Sequence, residues 1–516
     1  MLHALNQRRW PNQALGALLV LPWLTAYTAG PTSNVWPWLV SACCAVLVWL
    51  FWRRVDARLI ATAWVLAAAV SAVIGLVQYF GLAHAFSPWI SETGAGEAFA
   101  NLRQRNQFAT LTSIGLLALI ALLARQAPGP RVPGWAHAAM VLLALGNAAS
   151  NSRTGLLQWV LILALTAGWA LPALRGQRRL AVFALQALLA YGLAVLALPW
   201  LLSAATGLSS GGLLGRLAET PGCGSRRVLW SNVLSLIAQK PWLGWGWGEL
   251  DYAHFMTLYP GPRFCDILDN AHNLPLQLAV ELGVPAALVL CGGAGWLAWR
   301  AQPWRETDPA RQMAWGVLAV ILLHSLLEYP LWYGPFQLAF GLCVGLLWAR
   351  AAAGPDSRAS SRHVPSEFKK NRALAQYLRW LIATIMIAVL AFAGYDYARV
   401  SQLYLQPETR SAAYRDDTMN KVRGSWLFGD EVRFAALSVT ALTPDNAESM
   451  HALALSLLHY SPEPRVIEKL IASARLLGRD EEALLYLARY RAAFPDEHAR
   501  WAAAQAARPR PLPAAK

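Results

Sequence analysis

The stretch LIATAWVLAAAVSAVIGLVQYF, Leu59 to Phe80, decides the fold class of this chain. It contains no Asp, Glu, Lys or Arg, and it follows closely on Arg53, Arg54 and Arg58. A bilayer core takes about 20 consecutive apolar residues per helix, so the stretch predicts a membrane-spanning helix. The whole chain of 516 residues is 56% hydrophobic and only 14% charged, against roughly 25% charged residues in soluble domains. The sequence therefore predicts an integral membrane protein.

Similar apolar runs recur and predict an all-α polytopic protein with about eleven membrane helices, within a range of about 10–12. Helices are expected because they satisfy every backbone polar group within lipid. The run Leu274–Trp299 is long and contains Glu281 and Gly283, so it is either one span or a short surface helix followed by a span. The other predicted spans are Ala14–Ala29, Val35–Trp52, Phe108–Ala124, Trp135–Ala149, Leu156–Leu174, Leu180–Leu201, Ala314–Tyr329, Trp332–Trp348 and Leu374–Gly394.

Basic residues cluster in alternate loops, and this pattern predicts an orientation. With Arg8 and Arg9 in the cytoplasm, every loop on that side is basic, whereas the opposite turns near Pro31 and Pro330 have no Lys or Arg. We therefore expect a bacterial inner-membrane protein with a cytoplasmic N-terminus and a periplasmic active site and C-terminal domain. The formal net charge of +15 follows from this topology and does not indicate nucleic-acid binding.

The predicted spans also suggest a domain organisation. We expect N-terminal membrane helices at 1–201, a large periplasmic loop at 202–271, the membrane helices of the core at 272–350, a basic cytoplasmic linker at 351–373, a last membrane helix at 374–394 and a periplasmic helical domain at 395–516. In the last segment, GRDEEALLYLARYRAAFPDE, Gly478 to Glu497, resembles a tetratricopeptide hairpin. It indicates either a small helical domain or a groove for a partner protein. The Pro-rich end, 508–516, is expected to be disordered.

The 6 cysteines divide by location. Cys223 and Cys265 lie in the predicted periplasmic loop, where an oxidising compartment allows a disulfide, although two separate thiols are the alternative. The others fall inside predicted spans and are expected to be inert apolar residues. They are Cys43, Cys44, Cys291 and Cys343. No Cys or His spacing resembles a zinc site, so no metal is expected.

Two arginine-bearing clusters lie on the predicted periplasmic face of the N-terminal half. They are NLRQRNQFAT, Asn101 to Thr110, and NSRTG, Asn151 to Gly155. A planar guanidinium suits phosphate oxygens, while the plainer alternative is contact with lipid headgroups. Because positive charge is scarce on this face, the clusters are candidates for binding an anionic group. The candidate residues are Arg103, Arg105, Asn106, Gln107 and Arg153.

A third cluster, SRRVLWSNVLSLIAQKPWLGWGWGE, runs from Ser225 to Glu249. Arg226 and Arg227 open an amphipathic helix pattern, and glycines alternate with Trp245 and Trp247 beyond it. Glycine lets the backbone turn sharply or approach a ligand closely. The indoles could stack on a sugar or line a lipid channel, or they could anchor a re-entrant loop as part of an aromatic belt.

Two histidine-bearing clusters complete the set: HNLPLQLAVELG, His272 to Gly283, and HSLLEYPLWYGPF, His324 to Phe336. The first offers an imidazole for proton transfer. In the second, His324 lies one turn deeper than the surface and is expected to be a buried structural histidine. The middles of the spans are otherwise almost free of ionisable groups, which disfavours a transporter. The candidate residues are His272, Asn273, Gln277, Glu328 and Tyr329.

These motifs resemble the bacterial O-antigen ligase and polymerase superfamily, and more narrowly its O-linked protein glycosylation ligases of the PglL type. The resemblance rests on NSRTG, the Pro-x-Leu-Gly-x-Gly loop, His-Asn followed after nine intervening residues by Gly283, EYPLWY and the soluble tail. EYPLWY and the tail favour the protein-glycosylating branch. Ala286 stands where the O-antigen ligases often have Gly, Thr or Tyr, which slightly weakens that branch.

The resemblance implies a glycosyltransferase that needs no metal or other cofactor. Such enzymes move a preassembled glycan from an undecaprenyl-diphosphate carrier to an acceptor, which for protein ligases is a Ser or Thr hydroxyl of a periplasmic protein such as pilin. The acceptor protein could engage the C-terminal domain. Lipid A-core and another glycan are the alternative acceptors. A transporter and a membrane-anchored assembly protein are more remote alternatives.

The family's essential histidine maps onto His272, and its arginines map onto Arg153 and Arg226, with Arg103 and Arg105 as looser matches. An imidazole can accept a proton at neutral pH, so His272 would be the general base or would orient the acceptor. The arginines would stabilise the departing diphosphate. Attack opposite the diphosphate would invert the anomeric centre.

Overall fold

The computed structural model of the chain describes residues 2–126, 131–170, 178–209, 211–218, 222–351 and 366–507. All regular structure in these ranges is helical, and no strand occurs among them, which confirms the all-α class for this part of the chain. The α-helices are α1 Leu2–Leu24, α2 Val35–Leu50, α3 Ala57–Tyr79, α4 Arg105–Ala124, α5 Gly134–Ala149, α6 Arg153–Ala170, α7 Arg178–Thr206, α8 Gly212–Ala218, α9 Arg226–Gln239, α10 Leu250–Met256, α11 Leu274–Leu282, α12 Val284–Ala301, α13 Pro309–Ser325, α14 Gly334–Ala351, α15 Ser366–Ser401, α16 Thr418–Val422, α17 Gly429–Val439, α18 Ala447–Leu457, α19 Pro464–Leu476, α20 Asp480–Ala493 and α21 Pro495–Ala506.

The chain divides into two compact units. Unit 1 comprises residues 1–219 and 296–395, and unit 2 comprises residues 220–295 and 396–516. Unit 2 therefore combines most of the predicted periplasmic loop with the predicted C-terminal domain. Most of the predicted linker, 352–365, and the predicted disordered end, 508–516, lie outside the described residues.

Several helices are suited to a membrane. Five described helices are long and apolar enough to cross one, and they are Ala57–Tyr79, Arg105–Ala124, Arg178–Thr206, Val284–Arg305 and Leu374–Tyr404. Shorter apolar helices coincide with further predicted spans at Asn12–Leu24, Val35–Leu50, Gly134–Ala149 and Gly334–Trp348. The helices support a polytopic membrane protein, while the count of about eleven spans and the orientation remain predictions.

The structure decides one open alternative and shifts some predicted boundaries. Leu274–Trp299 is two helices and not one, as in the second alternative, because Gly283 adopts a φ of 89° between them. The predicted periplasmic loop, 202–271, contains the expected helix from Arg226 as α9 and two short helices, α8 and α10, that were not predicted. In α9 the Ser225 hydroxyl caps the helix, and apolar residues at helical spacing bury one face. The last membrane helix also exceeds 374–394 at both ends, since α15 runs from Ser366 to Ser401.

In unit 1, α4 is the central helix, because nearly all of its side chains are buried. It packs against α3, α5, α6 and α13. Close approach depends on small residues: a Cβ at Gly115 would collide with Ala68 of α3, and one at Gly75 would lie 2.5 Å from the Phe108 ring. Small residues at such contacts let membrane helices pack by van der Waals contact.

In unit 2, α17 to α21 pack as consecutive helices around one apolar core. The helices α19 and α20 form a hairpin that turns at Gly478, which has a φ of 70°. Val466, Leu470 and Ala483 are buried between neighbouring helices. The predicted tetratricopeptide-like hairpin is therefore present as a helical pair, while its use as a partner groove remains a prediction.

Candidate active site

Unit 1 gathers three of the five predicted clusters around Asn106, in the first turn of α4. The Asn106 Nδ2 atom donates to Glu328 Oε1 over 3.2 Å, and Asn106 Oδ1 accepts from the Ser152 hydroxyl over 2.6 Å. Glu328 is buried in the turn after α13, beside Tyr329, whose ring stacks on Tyr333 at 5.8 Å. One carboxamide thus joins the starts of α4 and α6 to the end of α13.

The two arginines before and at the start of α4 have separate partners. Arg103 has a left-handed φ of 59° and donates to the Thr28 hydroxyl. Arg105 lies 3.5 Å from Glu97 in an exposed ion pair. Exposed pairs of this kind contribute little to stability, so Arg105 can exchange Glu97 for another anion at small cost. The predicted binding residue Gln107 is buried inside the helix bundle.

The NSRTG turn places Arg153 as the first residue of α6. Asn151 adopts a φ of 51° and donates to the carbonyl of Gly96 over 3.1 Å, which anchors the turn. The Ser152 hydroxyl accepts from the Gly155 N–H over 3.0 Å and so caps the helix. The exposed Arg153 therefore stands on a fixed backbone at a helix N-terminus, where the helix dipole also attracts anions.

A buried polar network extends from Asn106 into unit 1. One turn along α4, the Thr110 hydroxyl lies 2.9 Å from His324 Nδ1 and accepts from Gln158 Nε2 over 2.7 Å. All three side chains are buried. His324 is therefore buried, as expected for a structural histidine, and Thr110 links it to Gln158, which was not predicted to take part. The network ties α4, α6 and α13 together through directional bonds.

Unit 2 holds His272 in a fixed backbone conformation. Its φ is 49°, in the left-handed region that non-glycine residues rarely adopt. The His272 N–H donates to Asn270 Oδ1 over 2.8 Å, and the preceding N–H donates to Gln277 Oε1 over 2.6 Å. On the other side, the Asn273 side chain caps α11 over 3.1 Å. Three amide side chains thus pre-organise the direction in which the imidazole leaves the chain.

The helix α9 brings Arg226 toward the same part of unit 2. The Trp230 indole N–H donates over 3.1 Å to the carbonyl of Ala271, the residue before His272. Arg226 precedes Trp230 by one helical turn, so the two side chains share a face of α9. Arg226 is half-buried, whereas the neighbouring Arg227 is exposed. The helix therefore carries a cation on the face whose Trp230 contacts the residue before His272.

Residues 241–248, here called the Gly-Trp loop, form backbone hydrogen bonds with the end of α11. The Trp245 N–H donates to the carbonyl of Val280 over 2.8 Å, and the Gly246 N–H donates to that of Glu281 over 3.0 Å. The Glu281 carboxylate accepts from the Gly248 N–H over 2.9 Å. A Cβ at Gly244 would collide with the Glu281 backbone, so the glycine permits this close approach.

The two tryptophans predicted to bind substrate differ in their surroundings. The Trp245 indole N–H donates to the carbonyl of Leu236 over 3.0 Å, and Lys240 lies 4.0 Å from the ring centroid. These contacts hold the loop on α9. Trp247 is 63% exposed and presents its ring to the outside of unit 2. Substrate binding by either residue remains a prediction.

Carboxylates near His272 are the functional candidates that the sequence reading missed. Asp269 interacts electrostatically with His272. Burial, opposed by the hydrogen bond from the Tyr252 N–H and assisted by the charges of Asp269 and Glu249, raises the pKa of Asp251 to about 7. The sequence signal was the Asp269-Asn270 pair directly before Ala271-His272.

The loop around these groups is braced by a disulfide and a buried histidine. Cys223 and Cys265 are joined, with Cα atoms 5.5 Å apart. His254 Nδ1 lies 2.9 Å from the Tyr259 hydroxyl, and burial together with the charge of Arg263 lowers the pKa of His254 to about 3. His254 is therefore neutral at physiological pH and serves packing.

Within unit 2, the short helix α10 docks onto the C-terminal helices. His459 Nδ1 lies 2.7 Å from a Glu249 carboxylate oxygen, and the His459 ring stacks on Tyr252 with centroids 3.9 Å apart. Arg489 of α20 donates to the carbonyl of Met256 over 2.9 Å. The loop that carries the Gly-Trp segment is thus fixed to the tetratricopeptide-like tail.

An apolar groove of about 970 Å³ lies between α1 and α3 in unit 1. Leucines and small residues line most of its length, and Asn12 and Gln13 supply polar groups at one end. Its shape and composition suit a long hydrocarbon chain.

Comparisons with known families place this arrangement in a class. Residues 138–291 match the O-antigen ligase family, residues 98–123 match a protein glycosylation ligase family, and residues 312–508 match the family described as virulence factor membrane-bound polymerase, C-terminal. Over these ranges the chain is therefore similar to the O-antigen ligase superfamily, including its protein glycosylation ligases of the PglL type. The three matched ranges contain all the predicted catalytic and substrate-binding residues.

A named relative narrows the comparison. The chain is 27% identical over 342 residues to a General O-oligosaccharyltransferase of Acinetobacter baylyi. The match covers 65% of this chain and 56% of the relative, so the chain spans little more than half the length of that protein.

Proposed function

We propose that this protein transfers a preassembled glycan from an undecaprenyl-diphosphate carrier to Ser or Thr hydroxyls of periplasmic proteins such as pilin. The observation that carries the proposal is the fixed backbone of His272, bonded through Asn270 and joined through Trp230 to the helix of Arg226. A proton acceptor and a cation are the two groups that glycosyl transfer from a diphosphate requires. The similarity to an O-oligosaccharyltransferase supports this reading.

His272 acts on the acceptor in this proposal. Its imidazole takes the proton from the Ser or Thr hydroxyl while the hydroxyl oxygen attacks the anomeric carbon. A new C–O bond forms, and the bond from the anomeric carbon to the diphosphate oxygen breaks with its electron pair on that oxygen. The fixed backbone of His272 reduces the entropy lost in reaching this arrangement.

Arginines act on the leaving group. In unit 2, we assign Arg226 to the phosphate oxygens that gain negative charge as the bond breaks. In unit 1, we assign the same chemistry to Arg153, whose backbone is fixed by the Ser152 cap and whose helix dipole favours anions. Arg103 and Arg105, which contact Thr28 and Glu97, are assigned weaker phosphate contacts because they match the arginines of the family less closely.

The donor and the acceptor have separate candidate surfaces. The groove between α1 and α3 suits the isoprenoid tail of the donor, because apolar residues line it. The tail domain suits the acceptor protein, because α10 links it to the loop that carries the Gly-Trp segment. We place these surfaces in the inner membrane and the periplasm respectively, following the basic loops.

O-antigen ligation onto lipid A-core and O-antigen polymerisation are the alternative functions. They are supported by the matches to the O-antigen ligase and polymerase families, which share the donor chemistry but differ in the acceptor. The acceptor therefore decides between the three activities.

The deciding experiment supplies one donor and competing acceptors. The purified full chain is incubated with lipid-linked oligosaccharide and either pilin or lipid A-core, and each acceptor is weighed by mass spectrometry. The proposal predicts a mass increase of one glycan on pilin. Transfer to lipid A-core alone would establish the alternative, and transfer to neither would overturn the enzymatic proposal.

A further inference from the structure

Two Trp–Leu pairs in unit 2 are exposed to an unusual degree. Trp242 and Leu243 are 76% and 85% exposed, and Trp426 and Leu427 are 80% and 45% exposed. Adjacent large apolar side chains on a surface usually mark an interaction site. The first pair lies in the predicted loop and the second in the tail, so they are independent in sequence.

The first pair is joined to the start of a membrane helix. The Val284 N–H, at the first residue of α12, donates to the carbonyl of Pro241 over 2.8 Å. Next to it, the Gly283 Cα lies so close to the Trp242 carbonyl that a Cβ would collide with it. The helix α12 is apolar and long enough to span a membrane, and few of its side chains are buried.

The second pair is joined to the end of another membrane helix. The buried Asp396 of α15 accepts from the N–H groups of Trp426 and Leu427 over 3.1 and 3.0 Å. It also accepts from the Ser425 hydroxyl over 2.9 Å. The apolar part of α15 precedes Asp396 and is also almost wholly exposed, so lipid is the medium that its side chains require.

We propose that Trp242–Leu243 and Trp426–Leu427 are two membrane anchors through which unit 2 inserts into the interfacial layer of the bilayer. The backbone of each pair is held against the end of an apolar, largely exposed helix that is long enough to span a membrane, and both helix ends belong to unit 2. Indole rings favour the membrane interface, and the leucines reach the acyl region. Exposed Lys240 and Arg423 stand just before the pairs, where lipid phosphates would attract them.

This assignment does not depend on the identity of the glycosyl acceptor. It also gives the tryptophans of the Gly-Trp loop different roles. Trp242 serves the membrane, whereas Trp245 packs on α9. The anchors would also hold the His272 segment at a constant depth in the membrane interface. The Gly-Trp loop is hydrogen-bonded to the end of α11, the helix that begins two residues after His272.

The test measures depth in the full chain reconstituted in phospholipid nanodiscs. The four free cysteines are replaced by Ser, the Cys223–Cys265 disulfide is kept, and a single nitroxide label is placed at Leu243→Cys or Leu427→Cys. Val439→Cys is the matched control, since Val439 is 75% exposed on α17 of the same unit. Collision with oxygen, which partitions into lipid, is compared with collision with a water-soluble nickel chelate.

We expect the oxygen-to-nickel ratio at residues 243 and 427 to exceed that at residue 439 by several-fold. Equal ratios at all three positions would overturn the proposal, and so would protection that arises only when pilin is added. A second measurement uses the unaltered protein in nanodiscs with a diazirine phospholipid. Cross-linked lipid is expected on peptides that contain 242–243 and 426–427, and its absence there would also overturn the proposal.

Discussion

Asn106 and Glu328 are 222 positions apart in the chain, yet their side chains form a hydrogen bond of 3.2 Å. The same carboxamide accepts from Ser152, so one residue connects the phosphate-binding candidates of α4 and α6 with the EYPLWY turn. Buried polar groups of this kind are costly to leave without a partner. The bond therefore predicts that these positions respond to substitution as one group.

Replacing Glu328 separates its hydrogen bond from its charge. Glu328→Gln keeps an oxygen that can accept from Asn106, whereas Glu328→Ala leaves the half-buried carboxamide of Asn106 without this acceptor. We expect Glu328→Ala to lower the free energy of unfolding by about 1–3 kcal/mol and Glu328→Gln by much less. Thermal unfolding in detergent checks this order. Equal losses in both variants would show that the charge, and not the bond to Asn106, matters there.

Gln277 supports His272 through the backbone, because its side chain accepts from the N–H of the preceding residue, Ala271. Gln277→Ala removes the acceptor of the N–H before His272, so the histidine backbone should loosen. We expect the glycan transfer rate at saturating substrate to fall by about 10–100-fold while the KM for pilin changes little, because small misplacements of a catalytic group are costly. Gln239→Ala, at the exposed end of α9, is the matched control. A wild-type rate in Gln277→Ala would contradict the supporting role.

Alanine substitutions at three glycines distinguish the cost of backbone strain from the cost of steric collision. Gly283 has a φ of 89° and no room for a Cβ, Gly248 has a φ of 78° with open space around it, and Gly293 of α12 has open space too and no positive φ. We expect Gly283→Ala to destabilise unit 2 most, Gly248→Ala by about 1 kcal/mol, and Gly293→Ala least. The rate of limited proteolysis within the 241–248 loop, compared among the three variants, measures this order of destabilisation. A tolerated Gly283→Ala would mean that α11 and α12 need not approach Trp242 closely.

Asp251 should make stability depend on pH. Its pKa rises from 3.8 to about 7 on folding, so the folded state binds the proton more tightly than the unfolded state. The cost of the buried carboxylate is fully present above about pH 7 and declines as the pH falls through 7 toward 4. Asp251→Asn mimics the protonated form, so it should raise the melting temperature at about pH 8.5 and have little effect at about pH 4. The same effect at both pH values would contradict this account.

The sequence predicted much of the fold because apolar length and charge placement act locally. Hydrophobic runs identified the spans at Leu59 and Leu374, and Gly283 within an apolar run warned of a break. The clusters around Asn106, Arg153 and Glu328 were also found, since scarce polar residues on one face stand out in such a chain. Their specific bonds could not be predicted, because Asn106 selects Ser152 and Glu328 through tertiary packing alone.

The features that were not predicted from the sequence also arise from tertiary packing. The docking of α10 on the tail depends on Glu249 meeting His459 across 210 positions, and no local pattern encodes such a pair. The raised pKa of Asp251 follows from its burial, which the polar sequence around it did not indicate. The sequence alone suggests that Trp426 and Leu427 are core residues. Their exposure follows from tertiary structure, in which Asp396 accepts hydrogen bonds from both backbone N–H groups.

We propose that His272 enables glycan transfer, and substitution of this residue tests that role. His272→Ala and the exposed control His84→Ala are purified as full chains, mixed with lipid-linked oligosaccharide and pilin, and followed by the mass of the pilin. Both variants should keep the wild-type melting temperature and the Cys223–Cys265 disulfide. The account predicts a one-glycan increase with wild type and His84→Ala and none with His272→Ala. Transfer by His272→Ala at the wild-type rate would contradict it.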